Sequence, residues 1–171
     1  MVRETRYVNL FDGRVVFITG AGSGIGRGIA EELARRGAVV VATDRDGASV
    51  EKVVAGIRER GGKAEAKSVD VTRADAVREA VEATVNAHGR LDYMFNNAGI
   101  GFSGEVRDTT LEQWRTVLDV NVNGVIYGIH AAYPIMVKQG SGHIVNTASL
   151  AGLVIAPTMA PYAASKYAVV G

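Results

Sequence analysis

Residues 15–26, VVFITGAGSGIG, constrain the fold more than any other stretch of the chain. Residues 15–18 form a continuous apolar run, the pattern of a strand buried on both faces of a parallel sheet. Thr19 and Gly20 end the run, and Gly20, Gly22, Gly24 and Gly26 follow at every second position. Ile25, Ile29 and Leu33 then recur four apart with Ala30 and Ala34 beside them, the stripe of an amphipathic helix. Strand, glycine-rich turn and helix in this order suit a phosphate. Missing Cβ atoms let backbone N–H groups approach the anion, and the helix N-terminus adds partial positive charge. The spacing departs from G-x-G-x-x-G and fits T-G-x-x-x-G-x-G on Gly20, Gly24 and Gly26. The alternative is an unspecialised flexible turn, against which the agreement of strand, glycines and helix argues.

The same alternation continues along the chain. Helices are expected over about 24–36, 47–60 and 73–88, the last with Val77, Val81 and Val85 four apart, and they stop at Gly37, Gly61-Gly62 and Gly89. Strands are expected at 38–43, 64–69, 91–95 and 143–148. A helical pattern from 111 to about 139 is interrupted at Asn121, Asn123 and Gly124. It reads as two helices or one bent helix, with Pro134 as a possible kink. A final helix starts near Pro161, and a short polar lead-in covers 1–13. Strands alternating with helices predict an α/β fold: about five parallel strands, doubly wound, with helices on both faces in three layers. With no linker and no shift in composition, residues 1–171 read as one domain. In such sheets ligands sit beyond the carboxyl ends of the strands, where Gly20, Asp44, Asp70, residues 96–99 and Ser149 all fall.

Composition narrows the function by exclusion. The chain has no cysteine, so disulfides and thiol catalysis are ruled out. Net charge is +1 with no basic stripe, which argues against a nucleic-acid partner. His88, His130 and His143 are scattered, without metal-ligand spacing. No apolar run is long enough for a membrane span, and the N-terminus lacks the apolar core of a signal peptide, so a cytoplasmic location is expected.

Asp44 lies 24 residues after Gly20 at the end of the second strand. A carboxylate there accepts hydrogen bonds from an adenosine ribose and repels a 2′-phosphate, which predicts NAD over NADP. Arg45 and Arg14 cut the other way, since either can answer a phosphate. A solvated loop aspartate is the plain alternative. Asp70 with Val71 is placed to reach an adenine ring, with a helix N-terminal role as the alternative. Asn97, Ala98 and Gly99 end the fourth strand, and Asn97 is expected to be partly structural. Tyr162 and Lys166, four apart on the last helix, share a face. A tyrosine that passes protons near neutrality needs its pKa lowered by about three units, roughly 4 kcal/mol. One ammonium at about 4 Å, in an effective dielectric of about 20, supplies about that much. Ser149 can donate a hydrogen bond to a carbonyl oxygen.

Taken together, TGAGSGIG at 19–26, Asp44, Asp70-Val71, NNAG at 96–99, Asn121 in NVNG, Ser149 and YAASK at 162–166 resemble the short-chain dehydrogenase/reductase family in order and spacing, over nearly the whole chain from residue 13. The resemblance implies a Rossmann-type, NAD(P)-binding domain that moves hydride between the cofactor and a carbinol or carbonyl carbon. It implies that Tyr162 is the general acid/base, Lys166 lowers its pKa and holds the nicotinamide ribose, Ser149 orients the substrate oxygen, and Asn121 positions a lysine-bound water. It implies cofactor contacts at Gly20, Ser23, Gly24, Ile25, Gly26, Asp44, Asp70, Val71, Asn97, Ala98 and Gly99, besides Tyr162 and Lys166. Members of the family commonly form dimers and tetramers.

Family members usually continue past the tyrosine helix with two strands and a substrate lid. This sequence stops at Gly171, nine residues past Tyr162, so an incomplete C-terminal part is expected. The leading expectation is an NAD-dependent dehydrogenase of a small-molecule secondary alcohol or ketone. The alternatives are an NADP-dependent carbonyl reductase and a cofactor-binding module without turnover. The mostly apolar stretch 150–156 favours an apolar or ring substrate over a sugar.

Overall fold

The computed structural model describes residues 10–171, so positions 1–9 of the expected lead-in lie outside the described residues. Strands β1 (Val15–Thr19), β2 (Val39–Asp44), β3 (Lys63–Ser68), β4 (Tyr93–Asn96) and β5 (His143–Asn146) form one parallel sheet in the order β3-β2-β1-β4-β5. Between them run α1 (Gly24–Arg35), α2 (Gly47–Glu59), α3 (Ala74–His88), α4 (Leu111–Leu118) and α5 (Gly124–Gln139). Helix α6 (Ala160–Val170) follows β5. The order reverses between β1 and β4, which opens a crevice at that switch point.

Side-chain alternation in the central strands builds the two outer layers. Val16 and Ile18 of β1 and Val40 and Ala42 of β2 pack on α1 and α2 through Leu33, Val50, Val54 and Ile57. Phe17 of β1 and Val41 of β2 face the other way, onto Val77 and Val81 of α3 and Ala132 and Met136 of α5. Phe17 is fully buried, a contribution of about 2–3 kcal/mol. This is a Rossmann-type three-layer α/β/α arrangement. No helix among the described residues is long and apolar enough to cross a membrane.

Several details differ from the sequence expectation. Ile25 does not join the buried stripe of α1 but is 68% exposed, and Gly26 takes the inward position with Ala30, Leu33 and Ala34. The cause is close approach: a Cβ on Gly26 would run into the Gly20 carbonyl and reach within 2.5 Å of Asn97 Nδ2. Strand β4 starts at Tyr93, two residues late, although the Asp92 backbone already bonds the Val15 carbonyl and the His143 N–H; the Asp92 side chain has a separate task. Its carboxylate, 4% exposed as a residue, accepts from Val15 N–H at 2.9 Å, from Arg14 at 3.0 Å and from Arg90 at 2.7 and 2.6 Å. Burial raises the Asp92 pKa, but those donors outweigh it and hold the carboxyl below its usual range. Arg14 is thereby fixed at the start of β1, far from Gly20, and cannot answer a phosphate in the crevice. Strand β5 ends at Asn146 because Thr147, after bonding the Asn96 carbonyl, turns its own carbonyl to Lys166.

The interrupted helical pattern is one continuous run. Thr110 and Gln113 cap the start of α4 reciprocally, and a π-helical turn at Asp119–Asn123 passes directly into α5. Pro134 sits inside α5.

Candidate active site

The crevice at the carboxyl ends of the strands has a volume of about 780 Å³. One wall of it is the turn between β1 and α1. Gly20 and Gly24 take φ values of +66° and +52°, a region that side chains disfavour. Ser23 caps α1 without a side-chain hydrogen bond. Its hydroxyl and the first N–H groups of the helix therefore face the crevice uncommitted.

Asp44 rims the same turn. One carboxylate oxygen accepts from Gly22 N–H at 3.0 Å and the other from Asp46 N–H at 3.1 Å. Asp70 follows β3, where its carboxylate accepts from the Thr72 backbone at 2.9 Å and the Thr72 hydroxyl at 2.8 Å. Those two bonds hold its pKa below the usual aspartate value, against the opposing effect of partial burial. Asp70 thus closes the turn ahead of α3 and lines the crevice as well. Asn97 is pinned on three sides: Nδ2 donates to the Thr19 and Gly20 carbonyls, and Oδ1 accepts from the Thr147 hydroxyl. A structural share for Asn97 follows from these bonds.

Tyr162, Lys166 and Ser149 gather at the opposite end of the crevice. Lys166 is 5% exposed, and burial lowers its pKa. Its Nζ donates to the Thr147 carbonyl at 2.8 Å and lies 5.7 Å from the centre of the Tyr162 ring. Ser149 Oγ accepts from Ala151 N–H at 3.2 Å, which leaves its own hydrogen free for a ligand.

Gly20, Ser23, Gly24, Ile25, Gly26, Asp44, Asp70, Val71, Asn97, Ala98, Gly99, Ser149, Tyr162 and Lys166 all line this one crevice. Asn121 does not. It is fully buried in the π-helical turn behind the wall, with its amide bonded to both backbone groups of Ile100 and to Ser165. Sequence reasoning missed Ile100, Gly101, Val120, Thr147 and Ala148, which also line the crevice. Only their adjacency to NNAG, Asn121 and Ser149 marked them. The residues fit a dinucleotide: a glycine cradle at a free helix N-terminus, a carboxylate beside it at the end of β2, and a polar pair at the far end.

Comparison with known proteins agrees with this geometry. The profile of the family described as short chain dehydrogenase matches residues 14–171. A cyclohexanol dehydrogenase of Acinetobacter sp. strain SE19 is 43% identical over 166 residues, covering 95% of this chain and 65% of the relative. A short chain dehydrogenase/reductase from Burkholderia phymatum, solved with NAD, is 42% identical with a TM-score of 0.91, over 94% of this chain and 57% of that one. An NAD+-bound xylitol dehydrogenase matches with a TM-score of 0.91 at 38% identity, over 94% and 62%. A metagenomic short-chain oxidoreductase in complex with NADP matches with a TM-score of 0.90 at 36% identity, over 94% and 73%. The chain therefore spans about two thirds or less of the length of most of these relatives.

Proposed function

As the chain belongs to the short chain dehydrogenase family, we propose that it serves NAD(H)-dependent interconversion of a secondary alcohol and a ketone, with residues 1–171 acting as one cofactor-binding unit. The observation that carries this reading is the convergence of Tyr162, Lys166 and Ser149 at one end of a crevice whose other end is the glycine cradle and Asp44. A nicotinamide cofactor held by the glycine cradle, Asp44 and Lys166 would supply a two-electron hydride acceptor or donor. In the oxidative direction Ser149 donates its free hydrogen to the substrate oxygen and fixes it near the phenol. Tyr162, as the general base, takes the hydroxyl proton at its phenolic oxygen. The Lys166 ammonium, held by the Thr147 carbonyl, sets positive charge beside the Tyr162 ring. Asn121 acts from behind the wall, bracing Ile100.

Replacing Tyr162 with Phe tests the assignment. Turnover is expected to fall by at least about 1,000-fold while NAD+ affinity stays within about threefold. A variant that keeps turnover removes Tyr162 from the chemistry. A wild-type chain that binds NAD+ but reduces no ketone favours the binding-module alternative.

Asp44 supports NAD as the cofactor, since it meets a ribose diol and repels a 2′-phosphate. Arg45 also lines the crevice and supports the NADP alternative. Calorimetric titration of both cofactors decides between them. At the substrate end, Ile100, Val120 and Ala148 are apolar, and among the described residues that line the crevice Lys166 is the one cation beside Tyr162. This supports an uncharged substrate with apolar flanks. Cyclohexanol is expected to exceed xylitol in kcat/KM.

A further inference from the structure

Ser165 was not singled out by any sequence pattern, yet it is fully buried one residue before Lys166. Its hydroxyl has two partners, and their directions are forced. Asn121 Oδ1 accepts from Ile100 N–H at 2.8 Å, so the amide cannot be reversed without setting two donors against each other. Both hydrogens of Asn121 Nδ2 are then assigned, one to the Ile100 carbonyl at 3.0 Å and one to Ser165 Oγ at 3.0 Å. The hydroxyl, having accepted from Asn121, gives its own hydrogen to the Tyr162 carbonyl at 2.6 Å. A single row of side-chain bonds therefore runs from the backbone of Ile100, through Asn121 in the π-helical turn and Ser165, to the backbone of Tyr162.

We propose that Ser165 is a positioning residue. It sets the place of the helix carrying Tyr162 and Lys166 against the wall formed by residues 99–101. The proposal rests on the reading of Tyr162 and Lys166 as the proton-transfer pair. The row matters because it is dry. Asn121 and Ser165 are both inaccessible to solvent, so a hydrogen left without a partner has no water to turn to. Alanine at 165 strands one N–H of Asn121, which must then rotate and release Ile100. The wall beside Gly99 loosens, and the phenol and ammonium lose their fixed distance from the substrate oxygen. No group that meets phosphate or adenosine takes part, so the effect belongs to the chemical step and not to cofactor capture.

The test combines Ser165→Ala, Asn121→Ala and the double variant. Alanine is the best helix former, so α6 is expected to keep its fold. In Ser165→Ala the Ile100 amide, read by hydrogen exchange in NMR, is expected to exchange about tenfold faster, since its brace has lost a buried partner. The kcat is expected to fall about tenfold, with the calorimetric Kd for NAD+ within about twofold. In the Asn121→Ala background, adding Ser165→Ala is expected to cost less than about twofold more, because the bond is already gone. Unchanged Ile100 protection overturns the proposal, and so do effects that multiply independently in the double variant. Should the wild-type chain turn over no alcohol with either cofactor, the activity reading fails. The exchange rates still decide whether Ser165 braces Ile100.

Discussion

Replacing Asp92 with Ala is expected to cost about 3 kcal/mol of stability without touching the crevice. The magnitude follows from what the carboxylate holds. Its bond to Val15 N–H, at 2.9 Å, lies where β1 leaves solvent. Stranding that buried donor costs about 1–3 kcal/mol. Arg14 and Arg90 also donate to it, but their side chains are 45% and 40% exposed. Both recover water when the partner is lost, so their joint share is about 1 kcal/mol. Asp92→Asn keeps an acceptor for Val15 N–H and is expected to cost only about 1 kcal/mol. Urea unfolding followed by circular dichroism reads both. With a slope of about 2 kcal/mol/M, the midpoint falls by about 1.5 M for Ala and about 0.5 M for Asn. Equal shifts for the two variants would refute the assignment of the main share to Val15 N–H. The acid limb gives an independent check. The folded pKa of Asp92 is lowered, so its stabilisation is complete above the unfolded aspartate value near 3.9 and is lost as pH falls through the folded one. Asp92→Asn is expected to flatten that limb.

Gly26→Ala is expected to lose NAD+ binding in titration and more than about 2 kcal/mol in unfolding, because the new methyl meets the Gly20 carbonyl, which cannot yield. Lys166→Met is expected to abolish turnover while leaving stability at neutral pH unchanged or raised. Burial lowers the Lys166 pKa, so its charge is a penalty that is complete below the folded value and lifts as pH rises toward the ordinary lysine value near 10.4. Wild type should therefore gain melting temperature over that alkaline window relative to Lys166→Met in scanning calorimetry. Leu111, Tyr133 and Val137 leave an apolar face exposed on α4 and α5, which supports a homodimer or homotetramer. Light scattering is expected to give an even multiple of the chain mass, and Tyr133→Glu to lower it.

The parts of the molecule that were legible in the sequence are those set by neighbours in the chain. The apolar run of β1, the stripe of α3 and the stops at Gly37 and Gly89, both with positive φ, follow from local period and turn chemistry. The cleft residues could be placed because strand ends converge once the sheet is parallel. What escaped depends on partners far along the chain. Asp92 meets Val15 77 residues away, and Asn121 meets Ser165 44 residues away. Ile25 kept helical period but lost its place in the core to Gly26, because the turn packs backbone on backbone there. The π-helical turn inserts an extra residue into a run whose periodicity only registered a disturbance.

The bond from Gly22 N–H to Asp44 has a practical bearing on cofactor engineering. On the proposed reading, the carboxylate that would meet a 2′-phosphate also ties down the loop that would cradle the pyrophosphate, through its bond from Gly22 N–H. A designer who exchanges Asp44 for a small neutral residue to admit NADP would at the same stroke untether Gly22. Affinity for both cofactors would then drop before preference changed. A productive redesign needs two coordinated edits: a neutral acceptor such as Asn or Ser at position 44 to keep the tether, and a second cation beside Arg45 to receive the new charge.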